Sequence, residues 1–116
     1  MIYNPSMENE EPEMTNEELE EILGFARQGE VEAQKMLGYM YSTQDDYKNA
    51  HYWFTEAGKQ NDFQSIYALA ILYKAGKGVP KSIETFYQLL TISAKGGCEQ
   101  AIQLLSEWNE SINNNL

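Results

Sequence analysis

The chain of 116 residues has one cysteine, Cys98, and one histidine, His51. A lone cysteine excludes an intrachain disulfide and fits a reducing compartment. One His and one Cys, 47 positions apart, do not supply the clustered ligands of a zinc site. Proline is also scarce. Pro5 and Pro12 lie at the start and only Pro80 follows, so the rest of the chain is free to form helix. Basic residues are outnumbered, with 8 Lys and Arg against 18 Asp and Glu, for a net charge of −10. Such a field repels phosphate and anionic lipid, which points away from nucleic acid and membrane surfaces. No apolar run is long enough to cross a bilayer. Met1–Met14 has no basic segment followed by an apolar one, as a secretory leader would. Together these features predict a cytoplasmic protein without metal or cofactor.

The apolar content, 42% with eight Tyr and two Trp, suffices for one folded domain. The acidic charge is concentrated. Residues 1–32 hold ten Glu against one base, Arg27, while the remainder is nearly balanced. This segment attracts a basic protein partner; equally, it is a solvated run that keeps the chain soluble. Residues 1–14 combine Glu, Asn, Pro and Ser with few apolar anchors and are expected to be mobile. Ile2 and Tyr3 are the exceptions, able to dock on an apolar groove.

Internal repetition is the most informative feature. Three segments share one pattern: Ala33 to Tyr41, Ser65 to Tyr73 and Ala101 to Asn109. Each sets a small residue four before a Leu (Leu37, Leu69, Leu105) and a second small one directly after it (Gly38, Ala70, Ser106). A second pattern interleaves with the first, Ala50-His-Tyr-Trp53-Phe-Thr-Glu-Ala57 and Phe86-Tyr-Gln-Leu89-Leu-Thr-Ile-Ser93. Both have helical spacing. Glycine inside a helix costs roughly 1 kcal/mol relative to Ala, so Gly38 implies close approach of a partner helix. Leu37, Tyr41, Trp53, Leu69, Tyr73, Leu89 and Leu105, recurring at equivalent positions, are the expected core.

Helix ends are marked too. Thr15-Asn-Glu-Glu18 is a capping box, Asp45 or Asp46 can cap the third helix, and Pro80 and Ser82 suit the start of the fifth. Gly29, Asn61 and Gly97 follow successive helical patterns as left-handed C-caps. The predicted helices are 16–28, 30–42, 46–60, 62–75, 81–95 and 98–112, an all-α fold of antiparallel pairs. The helical domain spans 15–112 and a tail spans 113–116.

The order of small residue, Leu, Gly, Tyr, then Gly-x-Gly-Val, then Ala-x-x-Trp resembles the Sel1-like repeat, a relative of the tetratricopeptide repeat. Gly76-Lys77-Gly78-Val79 matches its inter-helix loop. Gln28-Gly29 and Gln60-Asn61 match its turn between repeats. The resemblance covers about residues 19–109. The chain departs from it in three places. The first repeat lacks the Gly-x-Gly-Val loop, the third lacks the Tyr, and Leu89 stands for the expected Trp. The resemblance implies a right-handed α-solenoid whose inner face, lined by the first helix of each pair, binds protein. The inner positions fall on Glu32, Lys35 and Tyr39, on Gln64, Tyr67 and Ile71 with Lys74 one turn on, and on Gln100, Gln103 and Glu107. Tyr39, Tyr67 and Ile71 are the expected anchors, since Tyr is enriched at interface hot spots. They could equally pack against the acidic amino-terminal segment or a neighbouring helix.

Catalytic constellations are missing. His51 is the only histidine for a nucleophile to pair with, and its place on a helix is that of a partly exposed residue. Cys98, at a helix start, reads as a buried or incidental thiol. Asp45-Asp46 lacks the turn glycine and bidentate Glu of a calcium loop. Gly76-Lys77-Gly78 lacks the P-loop spacing. Glu17, Glu18, Glu20 and Glu21 crowd one short helix and cannot flank a glycoside. Some cysteine-rich Sel1-like proteins are linked to β-lactam hydrolysis, but their paired cysteines are missing here, so a hydrolase ranks last. The expected function is a protein-binding adaptor; the alternative is an immunity protein that neutralises a basic toxin.

Overall fold

The computed structural model describes residues 14–115. The expectations of mobility for residues 1–13 and of docking by Ile2 and Tyr3 lie outside the described residues. Six helices follow one another: α1 (Asn16–Arg27), α2 (Val31–Thr43), α3 (Tyr47–Lys59), α4 (Phe63–Ala75), α5 (Ile83–Lys95) and α6 (Glu99–Asn114). No strand occurs among the described residues. Each boundary lies within two residues of its predicted place. α6 runs two residues into the segment read as a tail.

Caps explain the starts. Thr15 and Glu18 form the reciprocal capping box of α1. Asp46, not Asp45, caps α3 by accepting from the Asn49 amide at 3.3 Å. Asp62 accepts from the Ser65 amide at 3.1 Å and Ser82 from the Thr85 amide at 3.1 Å. The ends of α1 to α5 share one backbone motif, in which a left-handed residue is followed by an amide that bonds five residues back. After α4 these are Gly76 (φ 70°) and the Lys77 amide bonded to Leu72, ahead of a longer connection, and the other four ends make short turns. Their left-handed residues are Gly29 (φ 95°), Asp45 (φ 59°), Asn61 (φ 64°) and Gly97 (φ 97°). Their closing bonds run from Glu30 to Phe25, Asp46 to Tyr41, Asp62 to Ala57 and Cys98 to Ser93. This is the Schellman closure, and such a short turn reverses the chain and lays consecutive helices side by side. The turn after α2 was not foreseen because Asp45, where Gly or Asn is usual, takes the left-handed place; its carboxylate accepts from the Tyr47 hydroxyl at 2.8 Å.

Each helix packs chiefly on its neighbours in sequence, most extensively in the pairs α2/α3 and α4/α5. The core is correspondingly a row of three clusters: one around Leu37 and Trp53, one around Phe54, Leu69 and Leu72, and one around Phe86, Leu90 and Ala101. Leu37, Trp53 and Leu69 are buried as expected. Tyr41, Tyr73, Leu89 and Leu105 are only half-buried, which corrects the predicted core. Leu90, one position on, takes the inward place on α5. Leu105 lies on α6, partly buried against the third cluster. The two tyrosines pack their rings at seams between helices, and the polar tip of such a ring stays accessible; that of Tyr73 meets His51 Nε2 at 3.2 Å.

The close approach inferred at Gly38 is present. A Cβ there would fall 2.5 Å from the Phe54 ring. Gly78 (φ 73°) serves the long α4–α5 connection in the same way. A Cβ there would sit 2.7 Å from the Tyr47 carbonyl oxygen, so the Gly-x-Gly-Val loop lies directly on the start of α3, and Val79 joins the second cluster.

Candidate functional site

The close contact at Gly38 sets the geometry of a large apolar depression between α2 and α4. With no side chain at position 38, the Phe54 ring lies against α2. The Tyr39 ring then meets it edge-on, centroids 5.1 Å apart and planes at 77°. Across from Tyr39, α4 presents Gln64, Tyr67 and Ile71, and the two helices enclose an open-sided groove of about 430 Å³. Tyr47 and Lys77 line one end and Gln100 of α6 joins the wall. The Lys77 ammonium stands 5.0 Å from the centre of the Tyr47 ring, a cation–π distance.

The groove chemistry is apolar with neutral polar tips. Tyr39 is 46% exposed, while Tyr67 and Ile71 are half-buried. Burial pushes the hydroxyl pKa of Tyr39 up from 10.0; Lys35 pulls it down, and Asp62, Cys98 and Tyr67 add to the rise. Tyr67 is raised by burial first, then by Cys98 and Glu107. Both phenols therefore keep their protons at neutral pH and can donate hydrogen bonds.

Of the predicted partner-binding residues, Tyr39, Gln64, Tyr67 and Ile71 come together here. Lys35 borders them. Its ammonium lies 3.3 Å from Glu32 and 3.8 Å from Asp62 and donates to Gln64 Oε1 at 3.2 Å. Glu32, its side chain 78% exposed, stays at the rim. Lys74 is not in the groove; its ammonium lies 5.7 Å from the centre of both the Phe86 and the Trp108 ring, over the seam with α6. Gln103 and Glu107 face a second, more polar depression of about 520 Å³ on α6, shared with Glu99 and Glu110, where Gln103 Nε2 donates to Glu107 at 2.8 Å. Tyr47, Phe54 and Lys77 were missed. A signal for Phe54 existed, since a glycine inside α2 calls for a large neighbour. Nothing in the sequence placed Tyr47 or Lys77 beside it.

Among the described residues, no three His, Cys, Asp or Glu side chains group as metal ligands. His51 is partly exposed on α3, as its place on a helix implies, and packs edge-on to Tyr73. Burial lowers its pKa from 6.5. Cys98 is a buried free thiol at the start of α6. No described helix is long and apolar enough to cross a membrane. What the groove can do chemically is desolvate large apolar side chains and offer hydrogen bonds at its edge. No protein-family model matches the chain.

Proposed function

We propose that the chain is a protein-interaction module of the Sel1-like type, a right-handed α-solenoid that holds a partner segment between α2 and α4, and that it acts by binding rather than by catalysis. The observation that carries this reading is the convergence of Tyr39, Tyr67 and Ile71, from helices 32 residues apart in the repeat, on one apolar groove floored by Phe54. An open groove of this kind suits a side chain delivered by a macromolecule; a small-molecule site encloses most of its ligand. The repeat register supports the solenoid. His51 meets Tyr73, and at the equivalent positions 36 residues on Tyr87 meets Asn109 at 3.5 Å. The same inter-repeat contact is thus made twice with different side chains, which also gives Asn109 a role where the family pattern has Tyr.

The test is quantitative affinity capture with the wild-type chain beside Tyr39→Ala and Tyr67→Ala. Partners specific to the wild type, lost with both variants while helicity is unchanged, support the groove. Retention of the true partner by both variants removes it. The net charge of −10 favours a second reading, neutralisation of a basic toxin in the cytoplasm. There the captured partner is itself toxic when expressed alone, and co-expression of the chain restores growth.

A further inference from the structure

We propose that the partner segment is cationic, carrying a large apolar anchor for the groove and Lys or Arg side chains for an acidic strip on α6. The proposal rests on the groove being the binding site, and it adds the charge and the polarity of what enters. Gln64 and Gln100 line both the groove and a polar depression at the amino-terminal ends of α4 and α6, where Asp62 and Glu99 stand. Glu99 in turn lines the α6 depression with Glu107 and Glu110. Shared lining residues thus join the apolar groove to a row of carboxylates without a break.

That row is uncompensated. α6 holds Glu99, Glu107 and Glu110 and no Lys or Arg. None of the three has a cation within 4.0 Å among the described residues; the ion pairs there are those of Lys35 with Glu32 and Asp62 and of Lys59 with Glu56. The cations carried by α2 and α4 themselves are already engaged. Lys35 serves two carboxylates, and Lys74 lies over aromatic rings. The acidic field reaches the groove itself, since Glu107 contributes to the raised pKa of Tyr67. At the opposite end stands Lys77, so the surface runs from positive at the α4–α5 loop to negative on α6. A segment with its cations over α6 matches that polarity, and the reversed one sets its cations against Lys77 and leaves the α6 carboxylates unmatched, which is how charge fixes register. The spacing from Glu99 to Gln103 to Glu107 is one helical turn each, so cations one turn apart on a partner helix can meet it.

The experiment is selection from a phage-displayed random peptide library on the wild-type chain, followed by titration of a synthetic winner. Winners should combine Trp, Phe or Leu with several Lys or Arg. The triple variant Glu99→Gln, Glu107→Gln, Glu110→Gln should weaken the winner on the order of tenfold, mainly through a slower on-rate at low salt. These glutamates are exposed, so the variant keeps its fold. Acidic or uncharged winners, or unchanged affinity in the triple variant, overturn the cationic assignment and leave the groove standing. Winners that bind a Tyr67→Ala, Ile71→Ser double variant undiminished overturn the groove itself. A library that yields no enriched sequence contradicts both.

Discussion

The pairs α2/α3 and α4/α5 fill equivalent space with the aromatic ring in different places. In the first pair the ring is Phe54, set against Gly38, with Ala50 one turn earlier. In the second pair the corresponding residues are Leu90, Ala70 and Phe86. All of these except Gly38 are among the buried apolar residues, and Gly38 is buried as well, so each pair balances one large side chain against a small one. The placement has consequences outside the core. Phe54 lies beneath Tyr39 and floors the groove. Phe86 instead turns toward α6, edge-on to Trp108 with centroids 5.1 Å apart. One pair uses its ring to shape a surface, and the other uses it to seat the next helix.

Removing the second ring should have the largest effect. Phe86→Ala empties a fully buried site at the α4, α5, α6 junction and should cost about 3–5 kcal/mol, read as a fall in urea midpoint. A loss below about 1 kcal/mol would mean that Phe86 does not hold α6. Next comes the exchange of the two solutions. Gly38→Ala alone drives a methyl into the Phe54 ring and should cost about 1–3 kcal/mol. In a Phe54→Leu background, which copies the Ala70–Leu90 arrangement, the same change should be nearly neutral, because Ala is the better helix former by roughly 1 kcal/mol. A double-mutant cycle without coupling would break the proposed equivalence of the pairs.

Gly78→Ala probes the long connection that only the second pair has. The left-handed φ and the Tyr47 carbonyl together should cost about 1–3 kcal/mol. Gly97→Ala, with nothing within 4 Å of its Cβ, should cost less by thermal melt. The smallest expected effect concerns His51, at the seam between the pairs. Its folded pKa is lowered from 6.5 by burial, so the unfolded chain binds the proton more readily. The stability it contributes is present above about 6.5 and is lost as pH falls through that value toward the folded one. The stability difference between wild type and His51→Gln should shrink over that interval; a pH-independent difference would show that burial does not hold the imidazole neutral.

The helices were legible because their ends are chemically marked: Thr15-x-x-Glu18, Ser82, Gly29, Asn61 and Gly97 each do in the fold what their residue type does locally. The groove was half legible. Repeat register put Tyr39, Tyr67 and Ile71 on one face, and they do line one depression. Lys74 escaped because its ammonium is drawn over Phe86 and Trp108, contacts that no local pattern encodes. Phe54 stands inside the second repeat pattern and was not among the expected core residues, yet it is core; that its ring also forms the floor of a surface groove depends on the helix approach that Gly38 permits. Gln34 was equally hidden. It is buried between two turns, donating to Ala26 O at 3.0 Å and accepting from Gln60 at 2.8 Å, where α4 carries Ile66. Nothing in the helical periodicity distinguishes such a clamp from a solvent-facing glutamine.

The claim that a partner enters between α2 and α4 is tested most directly by amide and methyl chemical-shift mapping of the labelled chain during titration with a selected peptide. The account predicts that the largest shifts fall on Tyr39, Tyr67, Ile71 and Lys77, with smaller ones at Glu99 and Glu107. Shifts confined to the other helices, α1, α3 and α5, with Tyr67 and Ile71 unmoved, would contradict it.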